Sequence, residues 1–467
     1  MKKRNLRPKE ASDLKVRMGK LRIFLEEYYP LLSILAGYFL VAITIGPFNN
    51  GDTAWEYDAI LGIFKTGLPV ANGVLMDQPP LGFYIQALFF NIFGLSIKNG
   101  TFLVTLFGLG CVALVYGIGK VAYNKTTGFF ASLLFAFSPW HLIMSRTFLI
   151  DAQCLFFSLL SLFAALIAVR RASFRLFIIS GIVFAAAFNT KLYAVFTLVP
   201  LLAYFFYYQP RNLKHTLKWL VGFSIPVLIA VFLWYQVIAG IGLSSIFLHP
   251  DLISQNPNIA TPTPFFVTNF LVSYGIGWFF IDASIVSMLV CLWQRRIFRQ
   301  FLPLDATCIA TIVCVVSVNI ILGTIFDLKA PFLNAIKYDY QALPFFSLLA
   351  ASLVSKSFTL VKLSWLKTKI KKVSLIAIAL LGFVLVAAAL FYNMWFTHLF
   401  STWDYLIFRV DPNINEGYSL FNSDPIGANS ILMFAQFLGF VFALSGILWV
   451  SRHKLSSILN KIILKRL

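Results

Sequence analysis

Acidic residues are scarce in this chain: 18 Asp and Glu stand against 38 Lys and Arg in 467 residues, and charged types together make up only 12%. A soluble domain usually carries about 25% charge. With 59% of residues hydrophobic, the chain therefore reads as an integral membrane protein rather than a water-soluble enzyme. Cysteine is also rare. Cys111, Cys154, Cys291, Cys308 and Cys314 fall within or beside apolar runs and form no CxxC pair. They read as small buried apolar side chains, which excludes a disulfide scaffold or a cysteine zinc site. The five histidines are scattered without HxxxH spacing, so histidine gives no metal ligand set. No cofactor is assigned, and a divalent metal has no support. Walker A, strand-bound GxGxxG and GxSxG sequences are all missing, which leaves no site for a soluble nucleotide donor and no serine elbow.

What the chain has in quantity is apolar runs of the length that crosses a bilayer, about 17–25 residues. Their approximate bounds are 30–46, 100–121, 127–144, 152–169, 174–189, 192–208, 217–240, 266–293, 305–326, 338–355, 373–395 and 431–450. Every second gap is basic: 120–125, 170–175, 211–218, 295–299, 356–372 and the tail from Arg452. The net charge of +20 thus belongs to topology and anionic lipid, not to nucleic acid. By the positive-inside rule both termini are cytoplasmic, and most of the acids fall on the extracytoplasmic face. The expected location is the plasma or inner membrane, with function in the acidic gaps.

Residues 79–94 form an apolar, helix-like run that would reverse every later gap if it spanned. They are expected to lie at the outer interface or to re-enter. The layout is then a basic tail (1–29, with 1–22 retained and not cleaved), a catalytic transmembrane module (30–355, with outer loop 46–99), and C-terminal helices (356–467, with outer loop 396–430). No gap is long enough for a large soluble domain.

Candidate chemistry sits in the outer gaps. Asp52, after a Gly-, Pro- and Asn-rich turn, heads a helix through Lys65. It is either that helix's N-cap or a base that takes a proton from an acceptor. Glu56 shares its face and Asp58 does not; both read as solvated-surface positions, with Glu56 within reach of substrate. Arg146 and Asp151 flank four mostly apolar residues, and either pair with each other or contact phosphate and acceptor respectively. Lys191 interrupts an apolar stretch from 176 to 208, either as a snorkelling lysine or, preferred here, as a cation for a lipid-linked phosphate. Lys337, Tyr338, Asp339 and Tyr340 bring polar groups to the top of a span, suited to phosphate or sugar contact or to interface anchoring. Asp282 is the one acid read as deep within a span.

Four patches occur in an order that resembles the GT-C class of polyprenyl-phosphate-sugar-dependent glycosyltransferases, specifically the protein O-mannosyltransferase and aminoarabinose transferase superfamily. They are Asp52 with its helix to Gly67, Gln78-Pro79-Pro80-Leu81 with Phe90 to Gly94, Ser145-Arg146 through Asp151, and Lys191 after a helix containing Gly181. The run from Lys337 to Pro344 looks like a later patch of the same family. The resemblance implies an all-α GT-C-type bundle of about twelve transmembrane helices with outer-interface helices. It implies transfer of a sugar from a polyprenyl-phosphate donor to a lipid, glycan or protein acceptor. Asp52 and Asp151 would be catalytic; Lys191, Arg146 and Lys337 would bind the donor phosphate; Glu56, Gln78, Tyr338, Asp339 and Tyr340 would contact substrate. Thr53 and Gln78 depart from the acid and the basic residue often found at those places. A polytopic lipid or sugar transporter is the competing reading, disfavoured because the ionisable candidates gather at one face instead of the midplane.

Overall fold

The computed structural model describes residues 28–43, 51–76, 78–208, 213–234, 278–325, 339–364, 369–400, 437–439 and 441–450. Lys337, Tyr338, the loop at 401–430 and both tails lie outside them. The described chain is helical apart from one small ribbon. In order it forms α1 (Tyr28–Ile43), α2 (Gly51–Thr66), β1 (Val70–Ala71), β2 (Val74–Leu75), α3 (Leu81–Phe93) and α4 (Ile97–Ala122). There follow α5 (Lys125–Ala136), α6 (Pro139–Arg146), α7 (Asp151–Arg170), α8 (Phe174–Phe188), a 3-10 turn (Leu192–Thr197), α9 (Leu198–Tyr208) and α10 (Leu213–Phe232). The remainder is α11 (Trp278–Trp293), α12 (Leu302–Ile325), a 3-10 turn (Asp339–Ala342), α13 (Leu343–Ser364), α14 (Lys369–Phe400) and α15 (Phe437–Val450).

Among the described residues four helices are long and apolar enough to cross a bilayer, five if α5 and α6 are one bent span, and eight more apolar helices have 10–17 residues. The expected span 127–144 is the one that breaks. Its halves meet at 61° because Ser138 is extended and Pro139, at the first turn of α6, has no N–H to continue the α5 ladder. Elsewhere local chemistry starts helices as sequence rules anticipate: Ser96, Asn124 and Ser173 each accept the backbone N–H three residues on. The α4–α5 hairpin packs without side chains at its closest point, where a Cβ on Gly119 would lie 2.6 Å from Gly128 Cα.

The ribbon is a hairpin that the sequence reading overlooked. Asn72 and Gly73 have φ of 50° and 80°, the two positive values a tight two-residue turn requires. They pair Val70 with Leu75 and Ala71 with Val74. Ribbon, α2 and α3 share a satellite core of Ala59, Ile60, Ala71, Met76, Phe83 and Phe90, closed by Phe148 and Ile150 from the loop before α7. Tyr84 Oη donates to Gly67 O at 2.8 Å, tying α3 to the end of α2. Thirteen residues make α3 about 20 Å long, short of the 30 Å hydrocarbon core. One face (Phe83, Gln86, Phe90) is buried and the other (Leu88, Ile92, Phe93) exposed.

A second buried region ties α11, α12 and α13 to the end of α4. Asp305 and Lys356, both at 0% exposure, form an ion pair. Lys356 Nζ also donates to Ser287 O (2.9 Å) and Ser352 Oγ (3.1 Å), while Tyr123 Oη donates to Asp305 at 3.1 Å. Two expectations change here. Asp305, unremarked in the sequence, is a fully buried acid whereas Asp282 is half-buried, and Lys356 is a core residue of α13 and not part of a solvated basic gap. The hydrophobic period missed Lys356 because one charge after an apolar run looks like the run's end.

Candidate active site

Of the residues singled out by sequence, Glu56, Asp151 and Lys191 come together where the satellite core meets the main bundle. Asp151 opens α7 and is fully buried. Its carboxylate accepts from Lys191 Nζ at 2.7 Å and from Tyr193 Oη. Asp151 is thus tied across the bundle to Lys191, and not to Arg146 as one of the two sequence alternatives had it. Lys191 is 7% exposed, which removes the snorkelling alternative. It sits where α8 ends and the chain turns into the 3-10 segment Leu192–Thr197, with its ammonium 5.2 Å from the Tyr193 ring centroid. The turn is built into the frame: Asn189 O accepts the N–H of Leu81 at 2.9 Å, joining it to the first residue of α3. The expected continuous helix at 192–208 therefore begins as a 3-10 turn.

Glu56 is the largest correction. Expected at a solvated surface, it is 3% exposed, and its Oε2 accepts the Ile150 N–H at 3.0 Å. Burial pushes its carboxyl up to about 8, opposed by the Lys191 ammonium and reinforced by the Asp151 carboxylate. At neutral pH Glu56 therefore favours its protonated form beside the Asp151–Lys191 ion pair. The sequence signal was the i, i+4 spacing from Asp52, which puts both acids on one stripe of α2. Asp52 is half-exposed one turn earlier, in the first helical turn, since the helix begins at Gly51 rather than after an Asp52 cap. A carboxylate there still favours the helix N-terminus.

A carboxyl whose folded value lies above its unfolded one stabilises the fold most at low pH and progressively less as pH rises from about 4.5 to 8. Thermal denaturation in neutral detergent should therefore show falling stability across that window, at up to about 1.4 kcal/mol per pH unit. Glu56→Gln, which keeps the acceptor for Ile150 but cannot ionise, should flatten this slope; an unchanged slope would assign it elsewhere.

Arg146 ends α6 and donates to Thr105 Oγ1 at 3.2 Å, facing α4. Tyr340 is fully buried and shares a 2.6 Å hydrogen bond with His141 Nδ1, so it packs beneath the site and is closed to a sugar. Gln78 is half-buried, its Oε1 lacking a hydrogen-bond partner among the described residues. Asp339 opens the 3-10 turn whose Gln341 Nε2 donates to Cys154 Sγ at 3.7 Å, bringing that turn against α7. Sequence reasoning missed Tyr193, although its place two residues after Lys191 was the available clue. Among the described residues no three His, Cys, Asp or Glu side chains gather in a metal-holding group.

Against known proteins, the arrangement has a clear fold class. Over 90% of this chain and 77% of the other, it superposes on ArnT from Cupriavidus metallidurans with a TM-score of 0.54 at 15% identity. The same protein bound to undecaprenyl phosphate gives 0.53. The archaeal oligosaccharyltransferase AglB from Archaeoglobus fulgidus, in complex with an inhibitory peptide and a dolichol-phosphate, gives 0.52 at 14% identity, covering 83% of this chain and 57% of that one. The fold is the one these solved structures share, and in architecture the chain is ArnT-like. By sequence, residues 77–235 match the family described as dolichyl-phosphate-mannose-protein mannosyltransferase. Two Bacillus subtilis (strain 168) proteins, "Putative mannosyltransferase YkcB" and its namesake YycA, are 26% and 29% identical over 215 and 218 residues, or 44% and 43% of this chain. The chain matches only 30% and 31% of the length of these two relatives.

Proposed function

We propose that this chain is a membrane glycosyltransferase that moves a sugar from a polyprenyl-phosphate donor to a lipid, glycan or protein acceptor on the extracytoplasmic face. The observation that carries the reading is the buried Lys191, paired with Asp151, to which Tyr193 also donates, next to the buried Glu56. An ammonium has three donors. Fixed at the end of α8, it is suited to the phosphate that departs as the anomeric carbon changes partner.

In this reading the acceptor heteroatom attacks the anomeric carbon, the bond from that carbon to the phosphate oxygen breaks, and the polyprenyl phosphate leaves with the electron pair. Lys191, with Arg146 and Lys337, neutralises the leaving phosphate, where a preset charge in a dry site contributes most. Asp52, half-exposed and so accessible to an incoming acceptor, takes its proton. Asp151 holds Lys191 in place, and Glu56 closes the wall behind it without adding a second negative charge. Gln78 borders the substrate space and the buried Tyr340 supports it from beneath, while Tyr338 and Asp339 are assigned substrate contact from the sequence alone. A polyprenyl-phosphate donor is supported by the undecaprenyl-phosphate and dolichol-phosphate complexes of the two structural relatives.

The same reading places about twelve spans in the membrane with both termini cytoplasmic, α3 at the outer interface and a catalytic module over 30–355. A transporter draws no support from relatives that are glycosyltransferases by name. Incubating purified protein with radiolabelled polyprenyl-phosphate sugars and candidate acceptors tests the assignment. Asp52→Asn should insert normally and lose at least about a hundredfold of transfer, the usual contribution of a positioned base; full activity in that variant would end Asp52's role.

A further inference from the structure

The helix that leads to Lys191, α8, has a second feature at its other end. Near Gly181, α8 and α10 are in close contact, since a Cβ there would lie 2.5 Å from Phe223 O. Toward the start of α8 an open groove of about 610 Å³ runs between them, bordered by Phe174 and Ile178 on one side. On the other side Lys214, Lys218, Gly222 and Pro226 follow at intervals of four residues and so form one stripe of α10. The stripe is charged at one end and apolar at the other. Both lysines are exposed, and Lys218 Nζ stands 4.9 Å from the centroid of Phe174. Farther along, the missing side chain of Gly222 lets the Phe174 ring pack close to α10, since a Cβ there would lie 2.8 Å from it, and Pro226, inside α10, continues the lining. Flanking Val221 and Ile225 are exposed apolar surface.

We propose that this groove binds one anionic glycerophospholipid, its phosphate between Lys214 and Lys218 and an acyl chain along the apolar half of the stripe. The charge arrangement selects the occupant. Two cations at the mouth of an apolar trough complement a headgroup with net negative charge, whereas a zwitterionic headgroup brings a cation of its own against them. The position separates this lipid from the sugar donor. Fifteen residues make α8 about 22 Å long, with Phe174 at one end and the bend that positions Lys191 just past the other. The groove's lysines therefore belong to the leaflet opposite the candidate active site. A lipid seated there braces α10 against the helix that presents Lys191, independently of which sugar is transferred.

Native mass spectrometry and thermal denaturation of the full chain in neutral detergent test this, with phosphatidylglycerol, phosphatidylcholine, undecaprenyl phosphate and inorganic phosphate as separate probes. Two lysine contacts should favour phosphatidylglycerol over phosphatidylcholine by about tenfold in retention. The Lys214→Gln/Lys218→Gln variant should bring that ratio close to one with its lipid-free melting temperature unchanged. Ile225→Trp, which fills the trough from an exposed position, should reduce retention of both phospholipids. Equal retention of the two, a preference that survives loss of both lysines, or displacement of phosphatidylglycerol by undecaprenyl phosphate or inorganic phosphate would each overturn the proposal.

Discussion

Lys191→Met is expected to lose transfer by about a thousandfold, the scale of removing one preset charge-stabilising donor from an active site. The variant should also be destabilised by about 3 kcal/mol or more, because Asp151 stays fully buried without its cation. The two losses have different causes and separate in a double variant. Lys191→Met/Asp151→Asn removes both charges together, so most of the stability should return, whereas transfer should remain absent. Melting temperature in detergent reads the first effect, and single-turnover transfer from a radiolabelled polyprenyl-phosphate sugar reads the second. Recovery of activity along with stability would reduce the pair to a structural tie. Tyr193→Phe removes only one donor to Asp151 and should fall between the parent and the single variants.

Breaking the other buried pair should act on stability alone. Lys356→Met leaves Asp305 at 0% exposure with only hydroxyl donors, Tyr123 and Ser352, and is expected to cost about 3–5 kcal/mol. Asp305→Leu/Lys356→Met should recover nearly all of that, since apolar replacement of a buried pair is often neutral or better. Turnover per folded molecule should match the parent in the double variant. Denaturant-induced unfolding in mixed micelles, combined with a transfer assay normalised to folded protein, distinguishes the outcomes. A double variant as unstable as the single would mean that the pair is indispensable for helix registry.

Charge alternation and apolar length made the helical membrane architecture legible, because both follow directly from the bilayer's dimensions and the cost of burying charge. The order of Asp52, Arg146, Asp151 and Lys191 pointed to a candidate site, of which Asp151 and Lys191 meet directly. What composition concealed were partners. Glu56 looked solvated because its neighbours in sequence are polar and aromatic, and nothing local reveals that the loop before Asp151 folds over it. Likewise Asp151 had two cations to choose from, Arg146 five residues away and Lys191 forty away. Sequence proximity favoured the nearer, and helix packing delivered the farther. The broken α5–α6 unit was readable at Ser138-Pro139 but was overruled by a continuous apolar run, an instance of hydropathy masking backbone chemistry. Asn72-Gly73 was an equally plain hairpin signal in a stretch treated as loop.

The satellite core binds these parts together in a way that constrains how such a chain can diverge. Phe148 and Ile150 are at once members of that apolar cluster and the residues that lead into Asp151, while Ile60 lies one turn beyond Glu56 on α2. The distance between the two acids is therefore set by how Phe83, Phe90 and their neighbours fill space, and not only by the rotamers of the acids themselves. Over evolutionary time, then, drift in α3 that preserves hydrophobicity but alters volume is filtered by the spacing of two acids that α3's apolar face does not itself carry.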